Sequence, residues 1–328
     1  MTAPVRDVPA DRAGVATLSI IVCAYTQDRY AVLISGIDAL LQQLSGADEL
    51  IVVIDYNEAL FADVAVRYGQ VATVMRNSFE RGLSGARNAG IEAARNEVLA
   101  FVDDDAKVRP GWVEQLRRHY LDPSVAGVGG HATPVWPTRR PAWMPSEYDW
   151  VVGCSHLGLP TSVAPVRNFI GCNMSFRRDV FQQVGRFNTT VGRVGKRPVG
   201  CEETELCIRI SQHDPSARLL FDPAVRVDHS VSDDRVRLKY FLSRCFGEGL
   251  SKYRVGGIVG TSDALSSERR YVTRVLPIGV LVALRDMVVG RGARRAAGAR
   301  GAAIVLGLAA TAAGYGYAMV RTFWDAKT

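Results

Sequence analysis

The sequence predicts an α/β fold with a doubly wound sheet, on three observations. Short apolar runs alternate with segments of helical periodicity through the first hundred residues, which is typical of parallel strands joined by helices. Residues 98–102 are apolar and rich in strand formers, and they indicate a buried strand. Asp103, Asp104 and Asp105 follow that strand directly. Because open α/β sheets bind ligands at the carboxyl ends of their strands, this acid triplet marks the expected site.

The elements before the triplet follow one another in a regular order. Residues 18–24 indicate a first strand, and a helix of about fifteen residues extends to Leu44. Residues 50–54 indicate a second strand that is followed by Asp55. Residues 59–68 then indicate a helix, and residues 71–75 indicate a short strand. A glycine-rich stretch at 77–90 then opens another helix, whose small residues and free amides allow a close approach to an anion.

The charge of the chain is unevenly distributed. The net charge is +7 over 328 residues, yet residues 235–300 contain fourteen Lys or Arg against four Asp or Glu, a local charge of +10. A basic surface in the last third predicts an anionic partner. Aromatic residues are not interleaved with the cations as in a single-strand binder, so the chain is expected to bind a membrane surface and no nucleic acid.

The cysteines and the N-terminus indicate a cytoplasmic catalytic body. The six cysteines are far apart and form no Cys-x-x-Cys pair, so we expect reduced thiols and neither a disulfide framework nor a cysteine metal cluster. The apolar run at 18–24 is too short for a signal peptide.

The acid triplet needs a partner because three adjacent carboxylates repel one another. Oxygen ligands at this spacing suit Mg²⁺ or Mn²⁺, which would hold the phosphates of a nucleotide. A solvated acidic turn is the alternative for an isolated triplet, and the surrounding sequence decides against it.

Four motifs in order resemble those of family-2 glycosyltransferases with the GT-A fold. Gly-Leu-Ser-Gly-Ala-Arg-Asn-Ala-Gly followed by Phe-Val-Asp-Asp-Asp, within 77–112, is similar to the family's donor-binding half. The strand end Ile-Val-Cys-Ala-Tyr resembles the family's first motif, and the Gly-x-Asn-x-x-Phe-Arg-Arg stretch within 168–187 resembles its third. Cys-Glu-Glu-Thr-Glu-Leu at 201–206 resembles its acidic base motif. The resemblance covers about residues 17–235.

The resemblance implies a domain organisation and a mixed GT-A sheet. A catalytic domain at 17–234 would consist of a donor half at 17–130 and an acceptor half at 131–234. Residues 1–16 would be a flexible N-terminus, and residues 235–328 a basic, apolar, membrane-associated helical region.

The resemblance also assigns the metal and the donor. Asp103 and Asp105 match the Asp-x-Asp signature, so Asp105 would ligate Mn²⁺ or Mg²⁺ directly, and Asp103 and Asp104 would face the ribose and the waters of the ion. His229 is a candidate further ligand, with a core or surface histidine as the alternative.

The base of the nucleotide would lie between Tyr25 and Asp55, and Arg87 would lie beside the base or the phosphates. The alternative for Arg87 is a helix-surface arginine. The chain departs from the family in having Asp55-Tyr56-Asn57 where paired aspartates are common and Thr26 where asparagine is common. A UDP-sugar is favoured, but these departures leave the base open.

Glu202 and Glu203 are the expected catalytic carboxylates. An inverting transfer needs one base that takes the proton of the acceptor hydroxyl as it attacks in line. The family usually has Glu-Asp with the second residue as base, which assigns Glu203. The alternative is a pair of exposed acids favoured at a helix start by the helix dipole.

Three residues are expected at the acceptor. They are Asn173 of the third motif, Trp150 of the aromatic and proline-rich segment 136–150, and Arg197 of the basic loop 192–198. Aromatic faces suit sugar rings and apolar tails, and a basic loop suits an anion, while core packing remains the alternative for the aromatic segment.

The last third predicts membrane contact. Residues 235–253 indicate a basic amphipathic helix, and residues 275–289 are apolar but interrupted by Pro277 and Arg285-Asp286, which favours an interfacial helix. Residues 301–320 are uncharged and long enough to cross a bilayer. They would span it as a single pass, lie on it as a peripheral helix, or pack against the preceding helix.

Together these features predict an inverting, metal-dependent glycosyltransferase at the cytoplasmic membrane face. It would move one sugar from a nucleotide-diphosphate sugar to a hydroxyl of a lipid-linked or cell-envelope glycan. Single addition is favoured because no Gln-x-x-Arg-Trp motif follows the base helix. The alternatives are a nucleotidyltransferase and a catalytically silent subunit that binds a sugar or a lipid carrier.

Overall fold

The computed structural model describes residues 16–192, 200–290 and 294–325. Within these ranges a mixed sheet contains nine strands. They are β1 (Leu18–Ala24), β2 (Glu49–Ile54), β3 (Thr73–Arg76), β4 (Val98–Asp103), β5 (Ala106–Val108), β6 (Val125–Val135), β7 (Ala164–Pro165), β8 (Asn173–Arg177) and β9 (Arg218–Ser230).

Helices cover both faces of the sheet and form the C-terminal region. Those between the strands are α1 (Tyr30–Leu41), α2 (Glu58–Tyr68), α3 (Leu83–Ala93), α4 (Trp112–His119), α5 (Arg178–Gln183) and α6 (Glu202–His213). The last third contains α7 (Leu238–Val259), α8 (Thr261–Ala264), α9 (Ser266–Arg270), α10 (Leu276–Val289) and α11 (Arg294–Asp325). A π-helical turn, Tyr271–Val275, leads into α10.

The sheet is parallel in its first half and mixed in its second. The strand order is β3-β2-β1-β4-β8-β6-β9-β5, with β7 alongside β9. Strands β1 to β4 pair in parallel, whereas β8 pairs antiparallel with both β4 and β6. This confirms the predicted α/β class and the mixed sheet.

Alternation along the strands separates two cores. In β1, Leu18, Ile20 and Val22 face the helices α1, α2 and α4, whereas Ile21 and Cys23 face α3 and α6. Successive side chains of a strand point to opposite faces, so a strand that is buried on both faces is apolar throughout.

The predicted element boundaries hold to within a few residues. The first helix ends at Leu41 instead of Leu44, the third strand lies at 73–76 instead of 71–75, and the basic helix begins at 238 after a 3₁₀ turn at 233–236. Pro277 does not break α10, because it lies in the first turn of the helix, where its missing amide costs no hydrogen bond. The predicted N-terminus, 1–16, lies almost wholly outside the described residues.

The C-terminal helices share a core with the acceptor half. Tyr148 and Val151 pack with Phe241 of α7, Leu276 of α10 and Ile304 of α11. The Tyr148 hydroxyl donates a hydrogen bond to the Ile304 carbonyl at 3.1 Å. Residues on the two sides of the expected boundary at 234 are therefore packed together.

Helices α7 and α11 approach closely because glycines lie between them. A Cβ on Gly249 would be 2.0 Å from the carbonyl oxygen of Thr311, and a Cβ on Gly314 would be 2.0 Å from that of Phe246. The pairing occupies the middle of the predicted span at 301–320, so one face of that apolar stretch lies against α7.

The outer faces of α10 and α11 are apolar and exposed. In the described part of the chain, one helix, Arg294–Trp324, is long and apolar enough to cross a membrane, with a mean hydropathy of 1.6 and only 22% of its most apolar stretch buried. The large exposed apolar residues of the two helices are Ile278, Leu281, Val282, Leu284, Met287, Val288, Val289, Val305, Leu306, Tyr317, Met319, Val320, Phe323 and Trp324.

We expect Gly249→Ala to destabilise the protein. The added methyl must push two backbones apart, and overpacking of this kind costs about 1–3 kcal/mol. Gly257→Ala in the same helix is the matched control, since nothing lies within 4 Å of its Cβ position. The control should gain about 0.5–1 kcal/mol from helix propensity. Urea unfolding of both variants checks this, and an unchanged or raised stability of Gly249→Ala would contradict the packing described.

Candidate functional site

One cavity of about 1300 Å³ lies at the carboxyl ends of β1, β2 and β4. One part of its wall contains Tyr25, Asp55 and the acid triplet, and another contains Glu203 and Trp150. The C-terminal helices close it with residues that include Tyr240, Leu276 and Leu308. The cavity therefore joins residues from the predicted donor half, the acceptor half and the last third.

The acid triplet meets His229 through the pairing of β5 with β9. Asp103 ends β4, and Asp104 and Asp105 form the turn into β5. Ala106 is the register partner of His229, and the Ser230 amide donates a hydrogen bond to the Asp105 carbonyl at 2.8 Å. This register places His229 Nε2 at 3.0 Å from Asp105 Oδ1.

Arginines balance the charge of the triplet. Arg29 Nη1 lies 2.5 Å from Asp104 Oδ1 and 3.0 Å from Asp105 Oδ2, and Arg235 Nη2 lies 3.4 Å from Asp105 Oδ2. Burial raises the pKa of Asp104 to about 7 despite Arg29. Burial also disfavours ionised Asp105, but His229, Arg29 and Arg235 outweigh it and hold its pKa well below the usual range. Asp105 is therefore the carboxylate that stays ionised.

His229 is protonated in this arrangement. Burial would lower its pKa, but the negative charge of Asp105 outweighs burial and raises the pKa to about 10. Its Nδ1 is buried and has no hydrogen-bond partner in the described residues. A metal ligand must be a neutral imidazole, so an ion bound at Nε2 would displace a proton.

The residues at the triplet fit a divalent ion that substrate oxygens help to hold. Across the described ranges no three His, Cys, Asp or Glu side chains converge on one metal position. Asp104 Oδ2 is nevertheless buried without a hydrogen-bond partner there, and Asp105 Oδ1 is buried with only the His229 ring nitrogen beside it. The 3.0 Å between Asp105 and His229 equals the spacing of adjacent ligands about 2.1 Å from an octahedral ion. Mg²⁺ and Mn²⁺ sites commonly use one or two protein ligands plus phosphates and waters.

Arg87 connects the triplet to the acidic helix. Its guanidinium is buried and donates hydrogen bonds to Glu202 Oε1 at 2.9 Å, Asp103 Oδ1 at 3.0 Å and the Gly171 carbonyl at 2.9 Å. Arg87 is therefore in the predicted site and is no surface residue. Its protein partners favour a positioning role over direct contact with the donor.

Glu203 is the carboxylate of the acidic helix that remains available. Glu202 is buried and paired with Arg87, whereas Glu203 is half-buried and lines the cavity. Burial and the negative charge of Glu202 raise the pKa of Glu203 to about 8. Cys201, which precedes the pair, has a left-handed backbone (φ 78°), a conformation that non-glycine residues seldom adopt away from functional sites.

Tyr25 and Asp55, the two residues expected at the nucleotide base, both line the cavity. Tyr25 is exposed at the end of β1, and Asp55 is buried at the end of β2. The Asp55 carboxylate accepts hydrogen bonds from the Asn77 side chain at 2.7 Å and from the Gly82 amide at 3.1 Å. Gly82 has φ 131°, which favours glycine, so the glycine-rich loop positions Asp55 through its backbone.

The three expected acceptor residues have different locations. Trp150 lines the cavity and donates a hydrogen bond to the Tyr271 hydroxyl at 3.1 Å. Asn173 is buried in β8, where it accepts a hydrogen bond from the Trp112 indole at 2.9 Å and donates one to the Val225 carbonyl at 2.9 Å. It lies outside the cavity lining, so we leave it out of the proposed acceptor site. Arg197, with most of its loop, is outside the described residues.

Sequence reasoning missed several charged residues of the cavity. Arg29, Arg235, Arg244 and Lys252 all line it. The last three were counted only as part of a basic outer surface, although Arg235 and Lys252 are buried and Arg244 is largely so. For Arg244 and Lys252 the signal available was their position on an amphipathic helix that also carries exposed cations, and this position does not by itself reveal a partner.

Comparison with known proteins identifies the family. The family described as "Glycosyl transferase family 2" matches residues 19–185. The chain is 33% identical over 274 residues, 83% of its length and 87% of the relative's, to the glucosyl-dolichyl phosphate glucuronosyltransferase of Haloferax volcanii. This chain belongs to glycosyl transferase family 2. A shorter match of 29% identity links 52% of the chain to 34% of the pre-mycofactocin glycosyltransferase of Mycobacterium tuberculosis.

Solved structures show the same fold. The mannosyltransferase PcManGT from Pyrobaculum calidifontis, in complex with GDP-Man and Mn²⁺, matches with a TM-score of 0.55 at 14% identity over 90% of this chain and 86% of that one. GalNAc-T7 with UDP, GalNAc and Mn²⁺ matches with a TM-score of 0.54 at 15% identity, over 80% of this chain and 57% of that one. Family membership and fold together make the chain a glycosyltransferase with the GT-A fold.

We expect Glu203→Gln to reduce the pH dependence of this glycosyltransferase's stability. Glu203 ionises near pH 4.5 when unfolded and near 8 when folded, so the folded state holds the extra proton between these values. The parent should lose stability as the pH rises through this window, at up to about 1.4 kcal/mol per pH unit from this group. Glutamine has no such proton, so the stability of the variant relative to the parent should be greater at pH 8 than at pH 5.

Urea unfolding at pH 5 and pH 8 measures that difference. Glu114→Gln, whose side chain is 66% exposed, is the control and should show the same relative stability at both values. An identical pH dependence of Glu203→Gln and its parent would contradict the raised pKa.

Proposed function

We propose that this glycosyltransferase is an inverting, metal-dependent enzyme that adds a single sugar to a lipid-linked or cell-envelope glycan at the cytoplasmic face of the membrane. The donor is a nucleotide-diphosphate sugar, with a UDP-sugar favoured. The observation that carries the proposal is that one cavity contains both the acid triplet and Glu203. An in-line displacement requires the leaving group and the base to act on opposite sides of one reacting carbon.

The donor half would hold the nucleotide through several residues. Tyr25 presents an exposed ring for stacking on the base, and Asp55, fixed by Gly82, presents its remaining lone pairs to a base N–H. Asp103 and Asp104 would face the ribose and the waters of the ion. Asp105 and His229 would hold Mn²⁺ or Mg²⁺. When bound, the ion would stabilise the negative charge that develops on the departing nucleotide diphosphate.

Glu203 would act as the general base. It accepts the proton of the acceptor hydroxyl while that oxygen attacks the anomeric carbon from the face opposite the diphosphate. The bond to the diphosphate breaks, and the configuration at the carbon inverts. The raised pKa makes ionised Glu203 a stronger base than an ordinary carboxylate. Glu202 and Arg87 act as positioning residues, since their charges are paired with each other and with Asp103.

A lipid-linked acceptor is supported by the wall of the cavity and by the relative. The relative at 33% identity is named for a glucosyl-dolichyl phosphate substrate. In this chain the wall beyond Glu203 is formed by Trp150 and by apolar residues of the last third, including Val275, Leu276 and Leu308. An aromatic ring next to an apolar wall suits a sugar attached to a lipid.

We propose further that α10 and α11 lie in the membrane interface and do not span the bilayer. Their exposed apolar residues form a surface much larger than isolated apolar side chains account for. Exposed cations, including Arg274, Arg285 and Arg294, are available for anionic headgroups. A spanning α11 would draw α7 with it, because the two helices touch at Gly249 and Gly314. Charged residues of α7 that line the cavity, such as Glu248, oppose such a position.

Two variants separate donor binding from chemistry. Asp105→Asn should lose the Mn²⁺-dependent rise in melting temperature that a nucleotide sugar gives, because the ligand that stays ionised is gone. Glu203→Gln should keep that rise and lose turnover by about 10²- to 10⁴-fold, the range of a general base. Melting temperatures with a panel of UDP-, GDP- and dTDP-sugars measure donor binding. Nucleotide release in the presence of a lipid-linked sugar measures turnover. An inactive Glu202→Gln together with an active Glu203→Gln would contradict the assignment of the base. Mn²⁺-dependent nucleotide-sugar binding by Asp105→Asn would contradict the assignment of the metal ligand.

Cysteine labelling distinguishes an interfacial α11 from a spanning one. The six native cysteines are buried, so Arg294→Cys and Thr322→Cys place single reactive thiols near the two ends of the helix. In intact protoplasts of an expressing host, an impermeant maleimide should label neither position, and after lysis it should label both. Labelling of one position in intact protoplasts would show that the helix crosses the membrane.

A further inference from the structure

A cluster of charged residues lines the cavity beside the start of the base helix, where Cys201 Sγ lies 3.4 Å from Glu248 Oε1. We call it the acceptor-end cluster, and it consists of Arg167, Arg244, Glu248, Lys252 and Glu268, all of which line the cavity. Glu248 pairs with Arg244 Nη1 at 2.9 Å and Lys252 Nζ at 3.4 Å, and Glu268 pairs with Lys252 at 2.7 Å and Arg167 at 2.6 Å. Three cations thus face two carboxylates, so the cluster has an excess positive charge. A partly buried excess charge favours a ligand of opposite sign.

Arg244 is the member of the cluster that faces the reacting end of the cavity. Only its Nη1 makes a hydrogen bond within the described residues, to Glu248. Its guanidinium carbon lies 5.6 Å from the centre of the Trp150 ring. Its Nη2 lies 3.5 Å from the Cβ position of Gly200, and Glu202 Oε2 lies 3.8 Å from the same position. Arg244 is therefore next to the start of the base helix.

The wall next to the cluster is apolar and reaches the surface. It is formed by Val272 and Val275 of the π-helical turn, by Leu276 of α10 and by Leu308 of α11. Val272 lines the cavity and is also 37% exposed, so the cavity opens at this residue. The exposed apolar residues of α10 begin at Ile278, six residues further along the chain. A lipid chain that leaves the cavity at Val272 would meet the surface proposed to lie in the membrane.

We infer that Arg244 binds the phosphate of an acceptor in which a sugar is joined to an isoprenoid-type lipid through phosphate. The inference rests on the proposed function and adds the residue that recognises this acceptor class. A guanidinium offers paired donors that match phosphate oxygens, and among the described residues Arg244 uses only Nη1 in a hydrogen bond. The sugar lies towards Glu203, the phosphate lies at Arg244 beside Trp150, and the first lipid units lie along Val272, Val275 and Leu276.

The test compares two acceptors that differ only in the phosphate. They are a short-chain isoprenyl phosphoglucose and the matching isoprenyl glucoside, each assayed with the full chain in detergent and with the donor that the panel identifies. The parent should have a KM about 10- to 100-fold lower for the phosphate acceptor, the range of a charge-assisted hydrogen bond. Arg244→Gln should reduce this ratio to about one, through a rise in the KM for the phosphate acceptor that exceeds any change in the KM for the glucoside. Arg244→Lys should keep part of the ratio.

Arg254→Gln is the matched control, because Arg254 is an exposed cation of the same helix outside the cavity lining. It should keep the ratio of the parent. An equal loss on both acceptors in Arg244→Gln would show a purely structural role and overturn the inference, as would an unchanged ratio.

Direct binding keeps this inference separate from the proposed function. Calorimetry with the isoprenyl phosphoglucose alone needs no turnover, and the parent should bind it about 10-fold or more tightly than Arg244→Gln does. If no donor gives nucleotide release but this difference is found, the proposed function fails and the phosphate site stands. If transfer proceeds to the glucoside alone and the phosphate acceptor does not bind, the proposed function stands and the phosphate site fails.

Discussion

The buried guanidinium of Arg87 is the contact on which the geometry of the site depends. It joins Asp103 at the end of a central strand to Glu202 at the start of the base helix, two residues far apart in sequence. A buried cation is tolerated only where carboxylates and carbonyls satisfy it, and removing one partner costs several kcal/mol. Neither the strand end nor the helix can therefore shift without leaving a charge unpaired. One side chain thus fixes the acid triplet and the start of α6 relative to each other.

The donor half was predictable because its signals are local. A strand that is apolar throughout and ends in carboxylates identifies both its burial and the edge at which it stops, as for residues 98–105. The strand-helix alternation from Leu18 to Asp103 predicted the parallel pairing seen for β1, β2 and β4. The resemblance added Glu203 and His229, which are distant in sequence from the triplet. The structure brings both to the cavity, His229 through the pairing of β9 with β5.

The rest could not be predicted because it depends on contacts between distant segments. Helical periodicity shows that α7 has an apolar face, but it does not show that Arg244 and Lys252 point into a cavity and away from water. A count of cations cannot separate buried, paired residues from exposed ones. The whole net charge of +10 in residues 235–300 was therefore assigned to an outer surface. Asn173 shows the converse. Its motif suggested a ligand contact, whereas its side chain links β8 to Trp112 and Val225 inside the sheet.

The glycine-mediated packing of α7 on α11 gives the cavity a stiff wall. Where two backbones touch, as at Gly249 with Thr311, no side chain remains between them that could change rotamer and alter the spacing. The width of the cavity beside α7 is then a property of the main chain, and a bulkier acceptor cannot be admitted by side-chain rearrangement at that contact. Tolerance for different acceptors would have to come from the residues that line the wall, such as Leu308. Selectivity by diameter is thus built into the scaffold separately from the chemistry at Glu203.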